Sequence, residues 1–172
     1  METTDLKKAG CPSLDELRKS PGFPSRQAYI SKGPLPFIEC IEEIPCNPCE
    51  SSCPTKAITV GTPITNLPVV DPDKCIGCGT CVAKCPGLAI CIRNFNFEDD
   101  RASITFPYEY YPVPEQGDTV TMVDRMGHEV CDGEIVKVMK TKQSDETYLI
   151  SAAYDKRYFL EVISIRRLDR KD

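Results

Sequence analysis

The chain has 172 residues, 41% of them hydrophobic, with 11 cysteines, a single histidine, no tryptophan and a formal net charge of −5. That length suits one domain and a companion, no apolar run approaches a membrane span, and an acidic surface disfavours nucleic acid. An odd number of thiols with no secretory signal pattern argues against a disulfide framework and for a reducing cytoplasm.

Residues 1–35 read as an N-terminal arm. Ser13 and Glu16 are spaced as a capping box, so a short helix should begin before Leu17. The proline-rich stretch from Ser20 to Pro36 is expected to run extended. Phe23, Tyr29, Ile30, Leu35 and Phe37 give it an apolar side that should pack on the rest of the chain or on another subunit.

The next segment carries most of the information. Cys75, Cys78, Cys81, Cys85 and Pro86 spell CxxCxxCxxxCP, the spacing with which thiolates hold cubane iron–sulfur clusters. Two intervening residues let a tight turn aim successive sulfurs at one cube while backbone amides face it. At an offset of 32 residues the pattern returns as Cys46, Cys49, Cys53 and Pro54, and Ala57 and Ile58 match Ala89 and Ile90. In such duplicated motifs the cysteine before proline ligates the other cluster. Two [4Fe-4S] clusters follow, with Cys53, Cys75, Cys78 and Cys81 on one and Cys85 completing the other with Cys46 and Cys49. The leading position of the first motif is Glu43, and the nearest cysteine is Cys40, three residues earlier. Cys40 is read as the replacement ligand; Glu43 as an oxygen ligand, a three-iron cluster and Cys11 from elsewhere are the alternatives. Zinc would want two separated pairs of ligands and has no use for the third cysteine and the CP step.

On these motifs, residues 36–93 resemble the bacterial-type ferredoxins with two [4Fe-4S] clusters. The resemblance implies an α+β fold and an electron-transfer function, with Cys40, Cys46, Cys49 and Cys85 on the first cluster and Cys53, Cys75, Cys78 and Cys81 on the second. The stretch FIECIEEIPCNPCESSCP is also similar to small ferredoxin-like subunits that accompany FAD-dependent dehydrogenases, including those acting on amino or imino acids. This implies a hetero-oligomer with a flavoprotein dehydrogenase subunit and a further redox partner.

Within the segment, Phe37 to Ile41, Ala57 to Gly61, Val69 to Asp71 and Leu88 to Arg93 read as short strands. Ser51 and the stretch Thr80 to Lys84 fall in helical turns between cysteines. Ile44, Ile58, Ile76, Val82 and Ile90 are expected to line the cluster cavities and keep water out. Cys91 reads as a buried free thiol. Asn94 to Pro107 reads as a hairpin turning at Glu98 to Arg101, closing a ferredoxin-like domain over residues 36–106. PYEYYPVPEQG forms a stiff linker over 107–117, in which Tyr108, Tyr110 and Tyr111 either dock a partner or cover the hairpin.

Residues 118–172 change character. Asp118 to Asp124, Glu134 to Thr141, Thr147 to Ala153 and Tyr158 to Arg166 read as strands, with turns at Met126-Gly127, Asp132-Gly133 and Ser144-Asp145. A small SH3-like β-barrel is expected. His128 and Cys131 cannot complete a metal site alone, and the basic end Arg166, Arg167, Arg170 and Lys171 is interleaved with Asp169 and Asp172. No dinucleotide fingerprint, P-loop or nucleophile with a base occurs, so no catalytic site is expected within the chain itself. Two functions stand: an electron-transfer subunit with two [4Fe-4S] clusters, or a zinc- or single-cluster-stabilised interaction module without a redox role.

Overall fold

A computed structural model describes residues 6–140 and 146–169. The turn expected at Ser144-Asp145, the end of the strand at Thr141, and Arg170, Lys171 and Asp172 lie outside the described residues. The chain opens on α1 (Leu6–Ala9), followed by α2 (Leu14–Lys19), which the Ser13 and Glu16 capping box starts as expected. The arm is not extended throughout: Ser25 caps α3 (Arg26–Ser31), accepting the Ala28 N–H at 3.3 Å. The proline-free run from Arg26 to Lys32 is long enough for that one turn and a half. Leu17, Phe23 and Tyr29 are buried, and Tyr29 packs against Phe37, Phe95 and Phe159 with ring centroids 4.8–5.9 Å apart. The arm is therefore part of the core.

β1 (Leu35–Ile38), α4 (Pro48–Ser51), β2 (Ile58–Thr59), β3 (Val69–Val70), α5 (Thr80–Lys84) and β4 (Ile90–Asn94) make up the cysteine-bearing part. β1 pairs antiparallel with β4, and β2 with β3. Under the 32-residue offset β1 corresponds to β3 and β2 to β4, so each strand of one half pairs with the other half. β5 (Arg101–Tyr108) follows the hairpin turn, then β6 (Thr119–Val123), β7 (Glu129–Met139), β8 (Tyr148–Asp155), a 3-10 turn at Lys156–Tyr158 and β9 (Ser164–Ile165).

The expected SH3-like closure is not found among the described residues. The strands form one sheet in the order β1-β4-β5-β8-β7-β6-β9. The reason is β8, which pairs with β5 along its whole length, from Tyr148 opposite Tyr108 to Asp155 opposite Arg101. β5 in turn pairs with β4, so the C-terminal strands extend the ferredoxin-side sheet instead of closing on themselves. Tyr108 is the buried end of β5, whereas Tyr110 and Tyr111 are exposed.

Asp132-Gly133, expected as a turn, lies inside β7. Glycine is needed there for close approach: a Cβ on Gly133 would sit 2.5 Å from Met122 Sδ and 3.1 Å from the Ala153 carbonyl oxygen. Met122 is fully buried, so Gly133→Ala is expected to cost about 1–3 kcal/mol through overpacking, read as a lower urea midpoint with an unchanged slope.

The pleat of β1 and β4 separates two cores. Leu35, Phe37 and Cys91 face the larger one, with Ile104, Phe106, Met122, Ile135, Tyr154 and Phe159. Ile38, Ile90 and Ile92 face a smaller one that contains Cys49, Cys81 and Val82. Alternate side chains of a strand point to opposite faces, so this strand pair sets most of the motif cysteines on one side, although Cys75 also packs against the larger core and Leu149 of β8 joins the smaller one.

Candidate metal centre

Each motif folds for a local reason. Pro48 starts α4 and Gly79, at φ +76°, starts α5, and each single helical turn presents one buried cysteine, Cys49 or Cys81. Gly77 occupies a left-handed position at φ +65° between Cys75 and Cys78, where a Cβ would lie 2.6 Å from the Pro34 ring. Its N–H donates to Cys75 Sγ at 3.4 Å. After each CP step a non-glycine residue takes positive φ, Lys56 at 54° and Leu88 at 51°. This uncommon conformation is followed in each half by an alanine amide that donates to the preceding sulfur: Ala57 to Cys53 at 3.2 Å and Ala89 to Cys85 at 3.4 Å. The internal repeat thus extends to backbone strain and to N–H···S bonds.

The cysteines fall in two groups. Cys40, Cys46, Cys49 and Cys85 line one cavity together with Ile38, Ile44 and Ile90. Cys53, Cys75, Cys78 and Cys81 line a second, with Pro36, Ile58, Ile76 and Ile92. In each case three cysteines come from one half and the fourth from the cysteine before proline of the other. Glu43 is exposed and does not line the first cavity. Cys11 is elsewhere, its thiol donating to Met126 Sδ at 3.1 Å.

The surroundings are apolar. Ile44, Ile58, Ile76 and Ile90 lie where the sequence suggested, and Val82 is buried in the same core. Ile44 and Ile76 nevertheless expose 47% and 66% of their surface. They are lids with one face to the cavity and one to solvent. Burial pushes the Cys81 thiol up to about 12, with Cys75 and Cys78 adding to it, and the Cys49 thiol up to about 11, with Cys85 and Cys46 adding. Cys53 is held below the usual thiol range because amide and Thr55 hydrogen bonds outweigh its burial. Buried thiols such as Cys49 and Cys81 become thiolates readily only when a metal centre takes up their charge.

The fit to iron–sulfur clusters rests on this donor set: four cysteines lining each cavity, backbone amides donating to sulfur, and apolar isoleucines beside them. Among the described residues no three His, Cys, Asp or Glu side chains draw together as they would around a single metal ion. Cys91 is buried on the opposite face of β4, and burial pushes its thiol up. His128 is exposed in its turn, its Nδ1 3.2 Å from Asp124.

One group escaped the sequence reading. Arg93 is fully buried; its Nη1 donates to the Phe159 carbonyl, its Nε to Cys91 Sγ at 3.4 Å and its Nη2 to Glu39 at 3.4 Å. Arg125 donates through Nε to Glu39 Oε2 at 2.8 Å and through Nη1 to the Leu160 carbonyl at 2.9 Å. The sequence signal was an arginine inside the apolar run ICIR.

Comparison with known proteins places the same segment. Residues 39–89 match the family model of the 4Fe-4S dicluster domain. The polyferredoxin-like subunit of the aliphatic sulfonate oxidoreductase of Pyrococcus furiosus is 46% identical over 54 residues, which cover 31% of this chain and 28% of that protein. A subunit of the Na(+)-translocating ferredoxin:NAD(+) oxidoreductase complex of Acetobacterium woodii is 50% identical over 38 residues, covering 22% and 11%. The translation initiation factor RLI1 of Saccharomyces cerevisiae is 30% identical over 129 residues, covering 69% and 20%. The chain thus spans less than a third of the length of these relatives. No solved structure matches. No helix among the described residues is long and apolar enough to cross a membrane.

Proposed function

We propose, from the premise that residues 39–89 are a 4Fe-4S dicluster domain, that this chain transfers electrons through two [4Fe-4S] clusters. Cys40, Cys46, Cys49 and Cys85 hold the first, and Cys53, Cys75, Cys78 and Cys81 the second. The observation that carries this reading is the division of eight cysteines into two apolar cavities of four, each completed by a cysteine from the other half. Spread around a cavity, each set suits a cube of four irons better than a lone zinc ion, which wants its ligands within about 2.3 Å.

When bound, each cluster supplies a site that gains and loses one electron. The chain's own residues do the rest. The Ala57, Ala89 and Gly77 amides stabilise negative charge on sulfur. The isoleucine lids and the β1–β4 wall restrict water, and the cross-wise ligation ties the halves so that the centres keep a fixed separation.

The proposed setting is the reducing cytoplasm, as a subunit of an oxidoreductase complex. Two of the similar proteins are named as subunits of such complexes, and the stretch FIECIEEIPCNPCESSCP supports a flavin-dependent dehydrogenase as the partner that exchanges electrons with the clusters. Anaerobically purified protein is expected to be brown, to bleach on reduction with dithionite and to recover its colour on mild reoxidation. A colourless protein, or a spectrum indifferent to reductant, would favour the structural module instead.

A further inference from the structure

Three charged side chains lie at the contact between the cysteine-bearing part and the C-terminal strands: Arg93, 0% exposed, Glu39, 11%, and Arg125, 10%. Glu39 takes both arginines, so the group carries one net positive charge shielded from solvent. Charge in that position is screened far less than surface charge.

Its place in the fold is one-sided. The Cα of Arg93 is opposite Leu35, yet its guanidinium lies over the Phe37 ring, 5.2 Å from the centroid, and goes on to Glu39. The side chain therefore runs along the back of β1 toward the end where Ile38 and Ile90 line the first cavity, and away from Pro36 and Ile92, which line the second. Glu39 is the residue before Cys40. Its N–H donates to the Ala89 carbonyl at 2.8 Å, and the Ala89 N–H donates to Cys85 Sγ. The carboxylate that gathers the two arginines thus belongs to a segment bonded at both flanks of the first cavity.

We propose that Arg93, Glu39 and Arg125 are positioning and potential-setting residues for the first centre, holding Cys40 in place and raising that centre's reduction potential above the second. A net positive charge behind one wall favours the reduced, more negative state of the nearer centre. The C-terminal part takes its role because Arg125 and the Phe159 and Leu160 carbonyls, which orient both guanidinium groups, lie in the turns that join its strands. On this account the added strands impose a downhill direction between two otherwise pseudo-symmetric sites.

The inference rests on the two-cluster reading, and the test separates the two. Iron per chain is measured first on the anaerobic full-length protein; about four instead of eight would overturn both. With eight, EPR-monitored redox titrations are run on the parent, Glu39→Gln, Arg125→Gln, the double variant and Arg125→Lys. Arg125→Gln, which removes a positive charge, is expected to lower the potential of one centre, and Glu39→Gln, which removes a negative one, to raise that same centre. Each shift should correspond to roughly tenfold in the reduction equilibrium, the order that Coulomb's law gives for a unit charge at separations on the order of 10 Å and an effective dielectric of about 20. The double variant should return near the parent and Arg125→Lys should stay there, while the other centre holds its value. Loosened packing would not give shifts of opposite sign. If both neutralising variants move in one direction, if both centres move together, or if neither moves, the proposal is wrong. Should Glu39→Gln fail to fold, Arg125→Gln against Arg125→Lys decides alone.

Discussion

Cys40→Ala is expected to lose about half of the chain's iron and acid-labile sulfide, from about eight of each to about four, while Glu43→Gln loses none. The repeat puts the leading position of the first motif at Glu43, so a strict copy of the second half would make the carboxylate the ligand. The local geometry favours the cysteine. Cys40 lines the first cavity with Cys46, Cys49 and Cys85, and Glu43 is exposed outside it. The strand pairing carries the chain to Glu39, whose N–H is fixed to the Ala89 carbonyl, so Cys40 begins the loop from an anchored point. Cys91→Ser and Cys131→Ser serve as controls that keep all the iron, because neither thiol reaches a cavity. Full iron in Cys40→Ala together with loss in Glu43→Gln would reverse the assignment.

The second large effect belongs to Arg93. Arg93→Met should destabilise the protein by about 3–5 kcal/mol, the cost of breaking a buried charge network by removing one partner. That is a large share of the roughly 5–15 kcal/mol that holds an ordinary domain together. Methionine fills the space between Phe37 and Phe159, but it cannot donate to Glu39 or to the Phe159 carbonyl. The measurement is urea unfolding of the anaerobic protein. A loss below about 1 kcal/mol, the range of exposed ion pairs, would mean that the network does not hold the two parts together.

The cysteine spacing made most of the candidate site legible, because ligand geometry restricts sequence more tightly than packing does. The 32-residue repeat carried further than cysteine: α4 and α5, the positive-φ residues Lys56 and Leu88, and the two alanine amides all follow it. The C-terminal part was legible only as strands. Alternation along Thr119–Met122 identifies which face is buried, and Tyr148–Asp155, buried on both faces, lacks it; neither pattern says which strand lies alongside, and the pairing of β8 with β5 turned an expected barrel into an open sheet. Gly133 misled for a related reason. Aspartate before glycine is a turn signal, whereas here the missing side chain makes room for Met122 on the neighbouring strand. Arg93 was overlooked because Glu39 and Phe159, to which it donates, and Arg125, which shares Glu39 with it, are remote in the chain and meet only after the sheet has formed.

Two redox-active cubes, each held by four of the eight cysteines, would fix the metal content and the spectrum of the protein. Iron and acid-labile sulfide per chain on anaerobically purified protein, with EPR spectra before and after reduction, measure both most directly. The account predicts about eight of each and, on reduction, signals from two interacting centres. About four iron, or zinc in place of iron, would contradict it and leave the first set of cysteines with a structural role.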